Sequence, residues 1–214
     1  MKATLRIALE TEPIERAEAE VAVATFFESD RPLRGAAGRC DWRLCGLLST
    51  LVAEGRLSGA RGDALLVPTF RRLRAPRLLL LGLGGSDRFG APEVAAVVGA
   101  AVGRLLDLGA HSAALGIPGD WIGAVPVRPA TEAAARGALD ELIRRGASLS
   151  LRLLVPSGGG SRALRGLEEL ARRAPAGAIA LEISDPDPGI APALRPGRGG
   201  PPPPEPVSPT PGRP

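Results

Sequence analysis

Short apolar runs bounded by glycine or proline alternate along this chain with segments of helical period, and that alternation restricts the fold more than any other feature. Val21–Phe27, Ala64–Val67 and Arg77–Leu81 are almost continuously apolar, as strands covered on both faces have to be. Thr4–Leu9, Ser112–Ile117, Leu149–Val155 and Ala178–Ile183 read as further strands. Four helices are predicted between them. Asp41 caps the first, with Leu44, Cys45, Leu48, Leu51 and Val52 on one face and an end near Gly55. Pro92–Leu108 is the second, with proline in its first turn and Gly109 beyond its end. Thr131 caps the third, which turns Ala135, Ala138, Leu139, Leu142 and Ile143 inward and stops at Arg144-Arg145-Gly146. Ser161 caps the last, which runs to Arg173 with Leu164, Leu167, Leu170 and Ala171 inward. This order predicts an α/β domain over residues 1–184, a three-layer α/β/α sandwich around a mixed, mostly parallel sheet.

A hydrophobic share of 44% supports a real core, yet aromatics are only 3% and tyrosine is absent. Alanine, leucine, valine and glycine must therefore fill the interior, which calls for close approach between elements rather than clusters of rings. Lys2 is the only lysine among the 27 basic residues, a bias expected of a GC-rich bacterial genome. A net charge of +4 is a weak argument for nucleic acid. The start of the chain has no apolar stretch of signal-peptide length, and the most apolar window, Val94–Val102, is too short to cross a bilayer. Cys40 and Cys45 do not make a disulfide framework. These features predict a cytoplasmic protein with no membrane partner. From Pro186 onward 12 of 29 residues are proline, so residues 185–214 are predicted to be a disordered spacer. Its Pro206-Val-Ser-Pro209 match to PxxP is the kind such a composition produces by chance.

Gly35-Ala-Ala-Gly38, Asp41-Trp42-Arg43, Leu65-Leu-Val-Pro-Thr69 and Leu78–Gly84 occur in an order and spacing that resembles the N-terminal domain of the leucyl aminopeptidase family, the two-zinc cytosolic exopeptidases. The resemblance covers about residues 1–145 and implies a macro-domain-like sandwich. In that family the domain supports hexamer assembly and shapes access to the catalytic chamber, and some bacterial hexamers bind DNA. The chemistry of the family sits in a separate C-terminal domain, whose paired metals need clustered Asp and Glu with a lysine ligand. No such cluster is visible here, Lys2 stands alone, and His111 is the only histidine. The sequence thus predicts no catalytic residue, no metal and no cofactor. It points to an assembly or regulatory module that binds a protein partner or itself.

Two alternatives rest on particular residues. Gly82-Leu-Gly84-Gly85 and Ser157-Gly158-Gly159-Gly160-Ser161 each join a strand to a helix, where free backbone amides can hold an anion. The second loop has no acidic residue, whereas the first has Asp87 where a nucleotide fingerprint needs glycine. A small nucleotide or other anion is the ligand class this predicts. Arg71, Arg72, Arg74 and Arg77 form the densest basic cluster, and the first three would contact phosphates if the protein bound DNA, although no aromatics interleave them for stacking. Cys45 is expected in the core, and Cys40 at a helix start as the more reactive thiol.

Overall fold

The computed structural model describes residues 3–182, and the proline-rich segment lies outside that range. Seven strands form one sheet: β1 (Thr4–Glu10), β2 (Val21–Phe26), β3 (Ala64–Pro68), β4 (Arg77–Gly82), β5 (Ser112–Gly116), β6 (Ser148–Leu154) and β7 (Ile179–Glu182). Their order is β3-β4-β2-β5-β6-β1-β7. Every neighbouring pair is parallel except β3–β4. All of β2 is buried, as its unbroken apolar run requires. The sheet is mixed and mostly parallel, as the alternation of elements predicts.

One face carries α3 (Ala91–Asp107), α4 (Val127–Arg145) and α5 (Gly160–Arg173), packed on Ile7, Val23, Leu79, Leu81, Leu115 and Leu151. The other carries α1 (Gly35–Arg43) and α2 (Leu47–Ala53), packed on Ala22, Ala24, Phe26, Leu78 and Leu80. Large rings are scarce, so the three-helix layer closes by bringing backbones together. A Cβ on Gly137 of α4 would lie 2.0 Å from the Ala95 carbonyl oxygen of α3, and one on Gly166 of α5 would lie 2.5 Å from the Arg128 oxygen of α4.

Several local expectations are corrected. The segment predicted as one helix from Asp41 breaks at Cys45 and Gly46, both in the left-handed region (φ 57° and 82°). Asp41 does cap, but from inside α1. Its carboxylate accepts the backbone N–H of Leu48 (2.8 Å) and of Ser49 (3.0 Å), which would otherwise be orphan donors at the start of α2. Because α1 begins at Gly35, Cys40 lies within it and is fully buried, and the break leaves Cys45 exposed, the reverse of the expectation. Thr131 lies inside α4 and donates its hydroxyl to the Val127 oxygen. Ser161 lies inside α5, which begins after Gly159. Ile143 faces outward at 47% exposure, and Ala171 is only partly covered. Finally, β3 is an edge strand with Ala64, Leu66 and Pro68 exposed, although its sequence reads like a buried one.

Replacing Gly137 by alanine forces α3 and α4 apart. We expect a loss of about 1–3 kcal/mol in the unfolding free energy, measured by urea denaturation.

Candidate functional site

The two glycine loops are not brought together. Gly82 ends β4 and the Ser157–Ser161 loop follows β6, with β2 and β5 between these strands, so about three interstrand spacings of ~4.8 Å separate them. The Gly82 N–H donates to the Asp63 oxygen and the Gly84 N–H to the Gly59 oxygen, while Gly84 accepts from the Glu28 N–H. A Cβ on Gly82 would stand 2.2 Å from the Ala60 oxygen. These glycines let the 59–63 loop close against β4, and the amides of Gly82 and Gly84 are already engaged. Gly85 has open space around it. In the second loop, the Gly159 N–H donates to the Pro156 oxygen, and Gly159 accepts from Arg162 and Ala163 as α5 begins. Gly158 takes the left-handed turn (φ 74°), Gly160 is buried, and Ser161 is partly covered within α5.

Ser157 reaches a cleft of about 320 Å³ outside the carboxyl ends of β1, β5 and β6, where open parallel sheets generally bind ligands. Its other polar lining comes from Thr11, Glu12, Arg39 and Asp120, with Gly35 and Trp121 on one wall. Trp121 is packed on Phe27 (ring centroids 5.5 Å apart) and lies so close over Gly35 that a Cβ there would be 2.4 Å from the indole. Its Nε1 is buried without a hydrogen-bond partner. Burial raises the Asp120 carboxyl above its ordinary 3.8, against the Trp121 amide and the Arg39 charge, which pull it down. The cleft therefore has two carboxylates and one guanidinium, a balance that does not favour a polyanion. Asp120, Trp121, Glu12 and Arg39 were not singled out by their sequence context, because they come from separate loops that only the topology unites.

At the opposite end of the sheet, the return of α1 meets the turn between β3 and β4. An open groove of about 950 Å³ is lined there by Trp42, Arg43, Cys45, Arg71 and Arg72, among others. Trp42 is 78% exposed, the highest value among the large apolar side chains of the described residues. The Arg72 guanidinium donates to the Arg43 oxygen (3.4 Å) and to Cys45 Sγ (2.7 Å), and the Arg43 Nε donates to the Arg72 oxygen. Arg74 points elsewhere and pairs with Glu18. The predicted basic cluster is thus divided: Arg71 and Arg72 enter the groove and Arg74 does not. Among the described residues, no group of three or more His, Cys, Asp or Glu is placed to hold a metal ion. No described helix is long and apolar enough to cross a membrane.

Comparison with known proteins places this geometry. The model of the cytosol aminopeptidase family, N-terminal domain, matches residues 22–145. The chain belongs to that family. The probable cytosol aminopeptidase of Stenotrophomonas maltophilia is 40% identical over 87 residues, which are 41% of this chain and 18% of that protein. The chain thus aligns with less than a fifth of this relative's length. A tomato leucine aminopeptidase mutant superposes with a TM-score of 0.61 at 18% identity, covering 79% of this chain and 36% of that one. A Trypanosoma brucei macrodomain in complex with ADP-ribose gives 0.61 at 17% identity, covering 75% and 68%. The fold is macro-like, as the GAAG, DWR, LLVPT and GLG motifs imply.

Two measurements check the site's electrostatics. Burial pushes the Cys40 thiol up to about 12, so a thiol reagent should modify Cys45 rapidly in the native protein and Cys40 only after unfolding. The Asp120 contribution to stability is fully present below its unfolded value of 3.8 and is lost as pH rises through its raised folded value. Asp120→Asn should therefore raise the urea midpoint near pH ~7 and give no such gain near pH ~3.

Proposed function

We propose that this cytosol aminopeptidase-type N-terminal domain is a non-catalytic docking module that binds a protein through its basal groove. The observation that carries the reading is Trp42, held 78% exposed beside Arg43, Arg71 and Arg72. An indole left in water next to guanidinium groups is the composition of an interface anchor, since Trp and Arg dominate binding energy where they become desolvated. The Asp41 carboxylate accepts from the start of α2 and keeps its charge, so three guanidinium groups face one carboxylate in the groove. The groove is consequently basic and suits an acidic partner surface with an apolar side chain to cover the indole. A full-length cytosol aminopeptidase is the first partner to test, because this domain type occurs within such chains.

Sedimentation of the full chain mixed with purified Stenotrophomonas maltophilia aminopeptidase should show a complex. Trp42→Ala should weaken it at least ~10-fold without altering the thermal midpoint, because the side chain is exposed. Absence of any complex would overturn this choice of partner, and a complex unaffected by Trp42→Ala would overturn the groove. Peptide hydrolysis by the chain alone is not expected, since the described residues supply no metal-binding group.

A second reading is supported by the unpartnered Trp121 Nε1 beside Ser157 in the carboxyl-end cleft, where a small ligand could accept that hydrogen bond. The macrodomain neighbour holds ADP-ribose. In this chain, Glu12, Asp120 and the indole over Gly35 favour a smaller and less charged molecule. DNA binding through Arg71, Arg72 and Arg74 gains less support, because Arg72 and Arg74 are engaged locally.

A further inference from the structure

The β3 edge is built to receive another strand, and its backbone pattern says which one. At the two ends of the β3–β4 ladder, the Gly82 N–H donates to the Asp63 oxygen (3.0 Å) and the Thr69 N–H donates to the Pro76 oxygen (3.1 Å). Antiparallel ladders alternate, so Leu65 and Val67 direct their backbone groups toward β4. Ala64, Leu66 and Pro68 direct theirs outward, where the sheet ends. The side chains alternate as well. Leu65 and Val67 belong to the α1–α2 cluster, which leaves Leu66 on the α3 face, 38% exposed.

We propose that β3 pairs with β3 of a second copy of this chain, antiparallel and about a two-fold axis at Leu66. This register overlaps the whole strand. Leu66 N–H of each copy donates to the Leu66 oxygen of the other, and Ala64 N–H donates to the Pro68 oxygen. Pro68 lacks a donor, and in this register it faces only the Ala64 oxygen. A proline at that place narrows the choice of partner strands without blocking this one.

The surfaces flanking the strand fit the same symmetry. Phe70 is 66% exposed and sits just beyond β3, in a left-handed conformation (φ 51°). The antiparallel pairing sets the end of β3 that carries it beside the end of the other copy's β3 that follows Gly62, a glycine with nothing within 4 Å of its missing Cβ. Gly62 is on the lip of an apolar groove of about 250 Å³ between α3 and the β3–β4 edge, lined by Leu81, Ala96, Val97 and Ala100. An exposed ring and an empty groove are thus brought together twice by one axis, which is the self-complementarity an isologous dimer requires. This pairing does not use Trp42 and stands apart from the proposed basal docking groove.

The test is light scattering coupled to size exclusion on the full chain. A species of twice 22.0 kDa is expected at micromolar concentration. Leu66→Lys should convert it to a monomer with unchanged circular dichroism, because the position is exposed in the single chain. Phe70→Ala should raise the dimer dissociation constant at least ~10-fold, and Trp42→Ala should leave it unchanged. In a Cys45→Ser background, Leu66→Cys should form a disulfide-linked dimer on mild oxidation, since paired Cα atoms ~5.5 Å apart lie within disulfide range. A wild-type monomer at high concentration would overturn the pairing. So would a dimer that survives Leu66→Lys, or one that Trp42→Ala dissociates. Loss of aminopeptidase binding with the dimer intact would implicate the basal groove alone.

Discussion

The close approach of α4 to α3 and α5 is the constraint on which the rest of the molecule depends. With aromatics at 3% of the chain, the layer above the sheet cannot be filled by rings, so helices have to touch along their backbones. Gly137 and Gly166 provide the contact surfaces, and the alanines of α4 continue them. Three of the six rings cluster at one end of the sheet. Phe27 meets Phe89 edge to face at 5.0 Å and Trp121 at 5.5 Å, and Trp121 lines the carboxyl-end cleft. Packing economy in one layer and a rigid aromatic platform at one end of the sheet are two results of the same composition.

The sheet in turn separates the chemistry into two ends. Loops after β1, β5 and β6 converge on a cleft where carboxylates outnumber guanidinium groups. The turn before β4 and the end of α1 converge on a groove where arginines surround an indole. The strand directions fix this division, because every parallel strand points its carboxyl end the same way and only β3 runs against them. The assembly reading favours the second end because the first is partly filled by Trp121 over Gly35.

Much of the architecture was legible because buried strands announce themselves. β1, β2, β4, β5 and β6 fall where apolar runs between glycine or proline place them. What could not be read was position within the sheet. Ala64–Pro68 has the composition of a central strand, and only topology makes it an edge. The caps predicted at Thr131 and Ser161 failed because Val127 and Gly160 begin those helices earlier without a side-chain cap. The exchange of Cys40 and Cys45 has a different origin. A non-glycine residue at positive φ is uncommon, and nothing in Leu44-Cys45-Gly46 marks the cysteine for it. The candidate sites were less legible than the fold. Trp42 belonged to a recognisable motif, but nothing in that motif marks the indole as exposed, and Asp120 and Trp121 acquire meaning only through neighbours distant in sequence.

The joint between α1 and α2 is closed by a single carboxylate, Asp41, lying outside the strands and reaching across two turns of chain. The outline of the basal surface is therefore written separately from the sandwich that supports it. A change at this joint would rotate the residues after it, moving the thiol and altering the shelf beneath the indole, while β2 and its neighbours kept their register. Such a joint lets the outline of the basal surface change while the architecture stays fixed.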